Sequence, residues 1–268
     1  MPIRSQHLTM SVEEWKCLPY QPGWKYEYWD GGAHITPNHQ IAVTTATVTP
    51  RPVNTPCTIR DVRPEDEAPL LAVYLGAFAD NQAFCDYTDA AFLEAARRDL
   101  HESFIGRRAP VLAASRVAAA AEVTGEQLVG AALLSQDQEY GPVLDLLFVR
   151  PRWQRRGMAT ALVASAMNVL HQAGEGTLTS CYQLANPASQ AWHRAFGFVE
   201  RPDLRYAQAY YRRAQQELFR HEKCRELAAA ERAALQADVQ YWYGQLEALE
   251  RLGEAQGFAA VYPRLPHW

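Results

Sequence analysis

The chain lacks a long hydrophobic run. Its richest apolar stretch, residues 111–123, is broken by Arg116 and Glu122, short of the roughly 18 uninterrupted residues that a membrane-spanning helix needs. The opening residues run into Glu13 and Glu14 without the apolar core of a secretory leader. A cytoplasmic location without membrane contact is therefore expected. Paired cysteines are missing as well. Cys17, Cys57, Cys85, Cys181 and Cys224 lie far apart, so neither a zinc site nor a disulfide framework is indicated, and no metal is expected. Nor is there an excess of positive charge. The 26 Lys and Arg against 30 Asp and Glu leave a net charge of -4, which gives nucleic acid no general attraction. What is present is ordinary globular material, 48% hydrophobic and 21% charged, in 268 residues. That length suits one core domain with ordered additions.

The first 56 residues read differently from the rest. Ser11 before Val12-Glu13-Glu14 has the form of a capping box. Aromatic alternation through 24–29 before Asp30-Gly31-Gly32 predicts a β-hairpin. A third strand is expected over 41–48, giving a helix and β-meander extension that ends in a proline-rich linker over 49–56. From Cys57 the pattern is a strand (58–60), a helix from Pro64, and a second helix marked by Phe92, Ala96, Leu100 and Phe104. Buried strands follow over 111–120, 127–134 and 143–149, then a helix over 155–173 with Met158, Leu162, Ala166 and Val169 on one face. Strand 177–182, helix 187–196 and a strand after Gly197 complete a unit spanning 57–201. Residues 204–252 contain no proline, and Leu235, Val239, Trp242, Leu246 and Leu249 recur at steps of three and four. This predicts a helical hairpin turning near Cys224, packed on its own domain more readily than on a second copy. Whether 258–262 forms a last strand or a tail is open, as is a homodimer through the terminal extensions.

The segment that carries chemistry is Leu144-Asp145-Leu146-Leu147-Phe148-Val149-Arg150-Pro151-Arg152-Trp153-Gln154-Arg155-Arg156-Gly157-Met158-Ala159. A buried strand enters a short loop, and the loop enters a helix. Amides at a helix start have no acceptor within the helix, and the helix dipole adds positive potential there, so main chain alone can hold a diphosphate. Gly157 and Ala159 are small, letting phosphates approach the backbone. The arginines at 150, 152, 155 and 156 suit one small polyanion.

Gln154, Gly157 and Ala159 resemble, position by position, the coenzyme A loop of the GNAT-type N-acetyltransferase superfamily. A second element follows in order, Asn186-Pro187-Ala188-Ser189-Gln190-Ala191-Trp192-His193-Arg194-Ala195-Phe196-Gly197-Phe198. The resemblance covers residues 57–201 and says little of either terminus. It implies an α/β (α+β) fold with a mixed, splayed central sheet flanked by helices, to which the N-terminal hairpin and C-terminal helical hairpin are appended. It also implies acetyl-CoA as cosubstrate and an amine as acceptor. Backbone contacts to the pantetheine arm would come from Leu147, Phe148 and Val149. The phosphates would be held by Gln154, Arg155, Arg156, Gly157, Met158, Ala159 and Thr160. Asn186 and Ser189 would face the arm, although Asn186 is equally a helix cap.

Acetyl transfer to an ammonium needs a base for the amine and a proton for the departing thiolate. By the resemblance, Asp145 stands where the superfamily often places a carboxylate, and His193 stands where it usually has an acidic tyrosine. A histidine can perform that step. Tyr182 and Tyr140 are substitutes. The expected function is direct acetyl transfer to an amine of a small molecule or protein. The alternative is a non-catalytic acyl-CoA-binding sensor or assembly module.

Overall fold

A computed structural model describes residues 5–105, 112–122, 125–224 and 228–262. The N-terminal segment builds a small sheet of its own, β1 (Gln6–Thr9), β2 (Trp24–Trp29) and β3 (Gly32–Pro37), in the antiparallel order β1-β3-β2. Asp30 and Gly31 both take positive φ, 51° and 72°, so the β2–β3 connection is the tight two-residue turn that matches strand twist. Between β1 and β2 lies the short helix α1 (Val12–Lys16). Its capping box is present: Ser11 Oγ accepts from the Glu14 amide at 3.2 Å and the Ser11 amide donates to Glu14 Oε2 at 2.7 Å. Strand β1 has no counterpart among the sequence expectations, because its four residues are all exposed and carry no alternation.

The main sheet has seven strands: β4 (Ile41–Thr47), β5 (Thr58–Asp61), β6 (Arg116–Glu122), β7 (Gly125–Asp137), β8 (Gly141–Val149), β9 (Thr177–Gln183) and β10 (Val199–Arg201). Their order is β10-β4-β9-β8-β7-β6-β5, antiparallel except for β8 beside β9. The helices are α2 (Glu67–Phe78), α3 (Asp89–Phe104), α4 (Met158–Gln172), α5 (Pro187–Phe196), α6 (Leu204–Cys224) and α7 (Ala229–Gln256). The expected strand over 111–120 begins at Arg116, and Val111 lies outside the described residues.

One expectation about the sheet is corrected and one open question is answered. The strand expected to close the N-terminal meander is β4, which pairs along its whole length with β9 and at its other edge with β10. Its Ala42, Val43, Thr44 and Ala46 are all buried, a run of small residues that suits a strand covered on both faces. The central sheet thus draws on residues from both sides of the proline-rich linker. Arg51 pins that linker, exchanging main-chain hydrogen bonds with the Asn168 side chain (2.7 and 2.9 Å) and donating from Nη1 to the Phe196 carbonyl at 2.7 Å. At the other terminus, 258–262 is not a strand. Phe258–Ala260 is a 3-10 turn, and the edge of β9 belongs to β4.

Two apolar cores flank the sheet. Met158, Leu162 and Ala166 of α4 pack with Val149, Leu178, Phe196 and Phe198 on one face; Leu70, Val73 and Tyr74 of α2 pack with Leu100 and Phe148 on the other. Helices α6 and α7 join through Leu204, Ala207, Leu246 and Val261, with Trp242 and Leu249 against them, as the apolar seam predicts. The small sheet docks on the main body through Trp24, Ile35 and Ala185. That contact depends on Gly23: a Cβ there would lie 2.2 Å from the Ala185 nitrogen. Among the described residues, no helix is long and apolar enough to cross a membrane.

Candidate functional site

The site starts where two neighbouring strands part. β8 and β9 run parallel but share only the pairings Val143 with Thr179 and Leu144 with Ser180. Beyond them β9 is zipped to β4 instead. A cavity of about 750 Å³ opens here and continues beneath α2 and α3. Its lining includes Asp145, Leu146 and Leu147 from β8, Ser180 and Tyr182 from β9, and Asn186, Ser189 and His193 from α5 and its cap.

Asp145 occupies a β-bulge. On β7, Leu133 faces Leu146 and Leu134 faces Leu144, so Asp145 is the extra residue with no opposite number. A bulge frees one side chain from the alternation of the strand and re-aims it, and bulges recur beside active sites for this reason. Asp145 is half-buried and faces the cavity.

On the opposite wall His193 is 4% exposed, with its ring against Tyr182, Trp192 and Phe198. Nδ1 lies 2.8 Å from the Ser189 carbonyl and 3.3 Å from Ser189 Oγ, and Nε2 lies 3.0 Å from Ser180 Oγ. A carbonyl only accepts, so Nδ1 carries the proton. In the neutral ring Nε2 then accepts from the Ser180 hydroxyl. Burial holds the imidazole below its ordinary value, opposed by the Ser189 carbonyl and by the Glu200 charge. The neutral ring is accordingly the resting form near pH 7.

Helix α5 fixes this ring at both ends. Asn186 Oδ1 accepts from the Ser189 amide at 3.0 Å, and Pro187 takes the first helical position. Gly197 closes the helix at φ 103°, and Phe198 turns back into the core with its amide on the His193 carbonyl at 2.9 Å. The asparagine and the Gly-Phe pair therefore have structural duties that place His193.

The second half of the site is the loop after β8. Gln154 Nε2 donates to the Val149 carbonyl at 2.9 Å, folding the loop over the strand end. Arg155 takes φ 58° and Gly157 φ 77°, so the chain enters α4 through two left-handed residues. Gly157 is the N-cap and offers no side-chain acceptor to the amides of Met158, Ala159 and Thr160, while a Cβ on it would meet nothing within 4 Å. Donors facing open space at a positive helix end suit a phosphate-type anion. Arg155 and Arg156 are exposed beside them, with Arg156 5.9 Å from the Trp153 ring centroid. Two of the four clustered arginines turn elsewhere, Arg150 to the Leu128 carbonyl at 2.9 Å and Arg152 to Gln127.

The structure thus gathers Asp145, Leu147, Asn186, Ser189 and His193 around one cavity. Phe148 and Val149 are buried in the two cores, and the 154–160 loop stands outside the cavity lining. Thr160 Oγ1 receives the Trp192 indole at 3.3 Å. The substitutes are less apt. Tyr182 donates to Glu200 Oε1 at 3.0 Å and is pushed well up by burial and that carboxylate. Tyr140, pushed up to about 12 chiefly by burial, does not line the cavity. Sequence reasoning missed Ser180. The available signal was a polar residue on the inward face between Leu178 and Tyr182, two residues from each.

Comparison with known proteins matches residues 80–198 to the acetyltransferase (GNAT) family. No curated protein matches the chain. Among solved structures it is similar to a GCN5-related N-acetyltransferase from Sphaerobacter thermophilus, at 20% identity and TM-score 0.41, over 60% of this chain and 48% of that one. It is also similar to a PaiA N-acetyltransferase from Thermoplasma acidophilum solved with coenzyme A, at 18% identity and TM-score 0.35, over 45% of this chain and 75% of that one. A third is AAC(6')-Iy with a bisubstrate analogue, at 21% identity and TM-score 0.40, over 55% and 92%. Likenesses this distant fix neither substrate nor mechanism.

Proposed function

Because residues 80–198 form a domain of the GNAT acetyltransferase family, we propose that this chain is an acetyl-CoA-dependent N-acetyltransferase acting by direct transfer to an amine. The carrying observation is the cavity between parting strands, with the bulged carboxylate of Asp145 on one wall and the Ser180–His193 pair on the other. Acetyl-CoA supplies the acetyl group as a thioester. The residues present fit its diphosphate: uncapped amides of 158–160, the left-handed Gly157, and exposed Arg155 and Arg156. The unpaired edge of β8 after Leu144, including Leu147, is the surface for its extended arm, with Asn186 and Ser189 facing it.

In this reading Asp145 takes the proton that the acceptor ammonium must lose, directly or through one water. Neutral His193 cannot itself donate from Nε2. It instead fixes the Ser180 hydroxyl: the second proton that the amine nitrogen sheds as the C–N bond forms can be taken up at Nε2 through that hydroxyl and returned by the same route to the thiolate as the C–S bond breaks. Buried surroundings strengthen each of these polar contacts. Two observations favour the non-catalytic alternative: the usual tyrosine is absent, and both ring nitrogens of His193 are already engaged. Thiol release from acetyl-CoA across an unbiased amine panel tests the proposal. Binding of acetyl-CoA without thiol release for any amine would favour the binding module.

A further inference from the structure

Among the described residues, the C-terminal hairpin of α6 and α7 contributes nothing to the cavity lining, yet a buried polar network joins it to the cavity wall. The wall residue is Tyr182. It is 3% exposed, lines the cavity, and has its ring centroid 5.1 Å from that of His193. Behind it lie Tyr206, Ala209 and Tyr210 of α6 in one apolar cluster, with Trp242 of α7 packed against them.

The direction of each hydrogen bond in the network follows from its anionic end. Glu200, on β10, accepts at Oε1 from Arg194 Nε at 2.7 Å and from the Tyr182 hydroxyl at 3.0 Å. An ionised carboxylate only accepts, so the Tyr182 proton is committed to Glu200. The phenolic oxygen is left to accept, and Gln190 Nε2 meets it at 3.0 Å. The same amide nitrogen carries a second proton, which it donates to the Tyr210 hydroxyl at 2.8 Å. Tyr210 is itself held by stacking, 4.4 Å from Tyr206 and 4.9 Å from Trp242 between ring centroids. Gln190 and Arg194 stand about one helical turn apart on α5, either side of His193 in sequence. Through them the helix that carries the histidine is tied to β9, β10 and α6 at once. Buried hydrogen bonds that satisfy one another strengthen together, and the loss of one leaves the next group unpaired.

We propose that Tyr182 is a positioning residue for His193, held in place by Glu200 and Gln190, and that Tyr210 of the C-terminal hairpin fixes Gln190 for that duty. Tyr182 neither gives nor takes a proton in the reaction. Its ring sets how the His193 ring stands toward Ser180. This rests on the acetyl-transfer reading and extends it, giving the appended hairpin a part in turnover.

The test removes hydroxyls one at a time from the full chain and takes two readings. One is the steady-state kinetics of thiol release from acetyl-CoA with the best amine of the panel. The other is the His193 imidazole resonances by NMR of the chain saturated with coenzyme A, assigned by their loss in His193→Gln. Tyr182→Phe is expected to lower kcat about ten-fold and Tyr210→Phe about five-fold, with KM for acetyl-CoA and for the amine each within about two-fold, because a small misplacement of a reacting group slows chemistry without weakening binding. Combining the two should lose no more than Tyr182→Phe alone, since Tyr210 acts through Tyr182. Both variants should move the His193 resonances. Tyr211→Phe, on the same helix but against Tyr243, controls for general loosening of the hairpin and should change neither reading. Unchanged kcat or unmoved resonances in Tyr210→Phe would overturn the proposal, as would losses that multiply in the double variant or an equal loss in Tyr211→Phe. If the wild type turns over no amine, the resonances decide alone. Shifts in Tyr182→Phe and Tyr210→Phe but not in Tyr211→Phe would then uphold the positioning network while the acetyl-transfer reading falls, and any other pattern would overturn both.

Discussion

Outside the cavity, at the start of α4, the surface offered to a ligand is main chain, and inside the cavity it is side chain. Residues 154–157 are exposed and depend on backbone shape, with two left-handed residues leading into an uncapped helix. The cavity end, proposed for catalysis, is largely buried and depends on which side chains meet: a bulged aspartate from β8, a serine from β9 and a histidine from α5. A main-chain site tolerates much sequence change provided its turn survives. A side-chain site fails with the loss of one atom.

The sharpest way to break the comparison is at Gly157. Gly157→Glu places an anion among amides meant for phosphate, so acetyl-CoA affinity should fall by more than about 100-fold, measured by calorimetry on the folded variant. Gly157→Ala separates shape from charge. Its Cβ meets nothing within 4 Å, so only the left-handed strain remains, about 1–2 kcal/mol, and affinity should drop far less. At the side-chain end, Asp145→Asn should reduce turnover by roughly 10²–10⁴ while acetyl-CoA affinity stays nearly intact. An unchanged pH-rate profile in that variant would remove Asp145 from the mechanism.

Smaller effects sharpen the contrast. His193→Gln and Ser180→Ala should each slow turnover by about 10²-fold, and combining them should cost little more, because the two act as one unit. Additive losses in the double variant would show that they act separately. His193 also makes a stability prediction. Its folded-state pKa lies below the ordinary 6.5 because of burial. The stabilisation is therefore complete above that ordinary value and is lost as pH falls from about 6.5 through the lowered folded value. The thermal midpoint of the wild type should drop over that window more than that of His193→Gln. The smallest effect belongs to Arg155→Ala and Arg156→Ala, exposed charges whose loss should weaken acetyl-CoA binding a few-fold, and less at high salt.

The same contrast governs what could be read in the sequence. The turn proposed to hold the diphosphate was legible as a turn because its requirements are local: Gly157 between strand and helix and small Ala159 after it. The hairpin at Asp30-Gly31, the Ser11–Glu14 capping box and the whole of α5 were legible for the same reason. Non-local pairings were not. Nothing in Ile41-Ala-Val-Thr-Thr-Ala-Thr reveals that this strand leaves the hairpin before it and inserts between β9 and β10, more than 130 residues ahead. The bulge at Asp145 depends on the register of β7, and the Ser180–His193 pair on how α5 lies over β9. The sequence offered His193 as a proton donor. Only the Ser189 carbonyl at Nδ1 shows which nitrogen is left to face Ser180.

The central claim, acetyl transfer from a thioester to an amine across this cleft, is tested most directly by mixing the full chain with acetyl-CoA and a panel of amines. Free thiol and acetylated amine are then quantified together by absorbance and mass spectrometry. The account predicts that both appear in equal amounts for at least one amine, and that Asp145→Asn, still binding acetyl-CoA, nearly abolishes both. Acetyl-CoA binding without thiol or amide from any amine, or product formation untouched in Asp145→Asn, would contradict it.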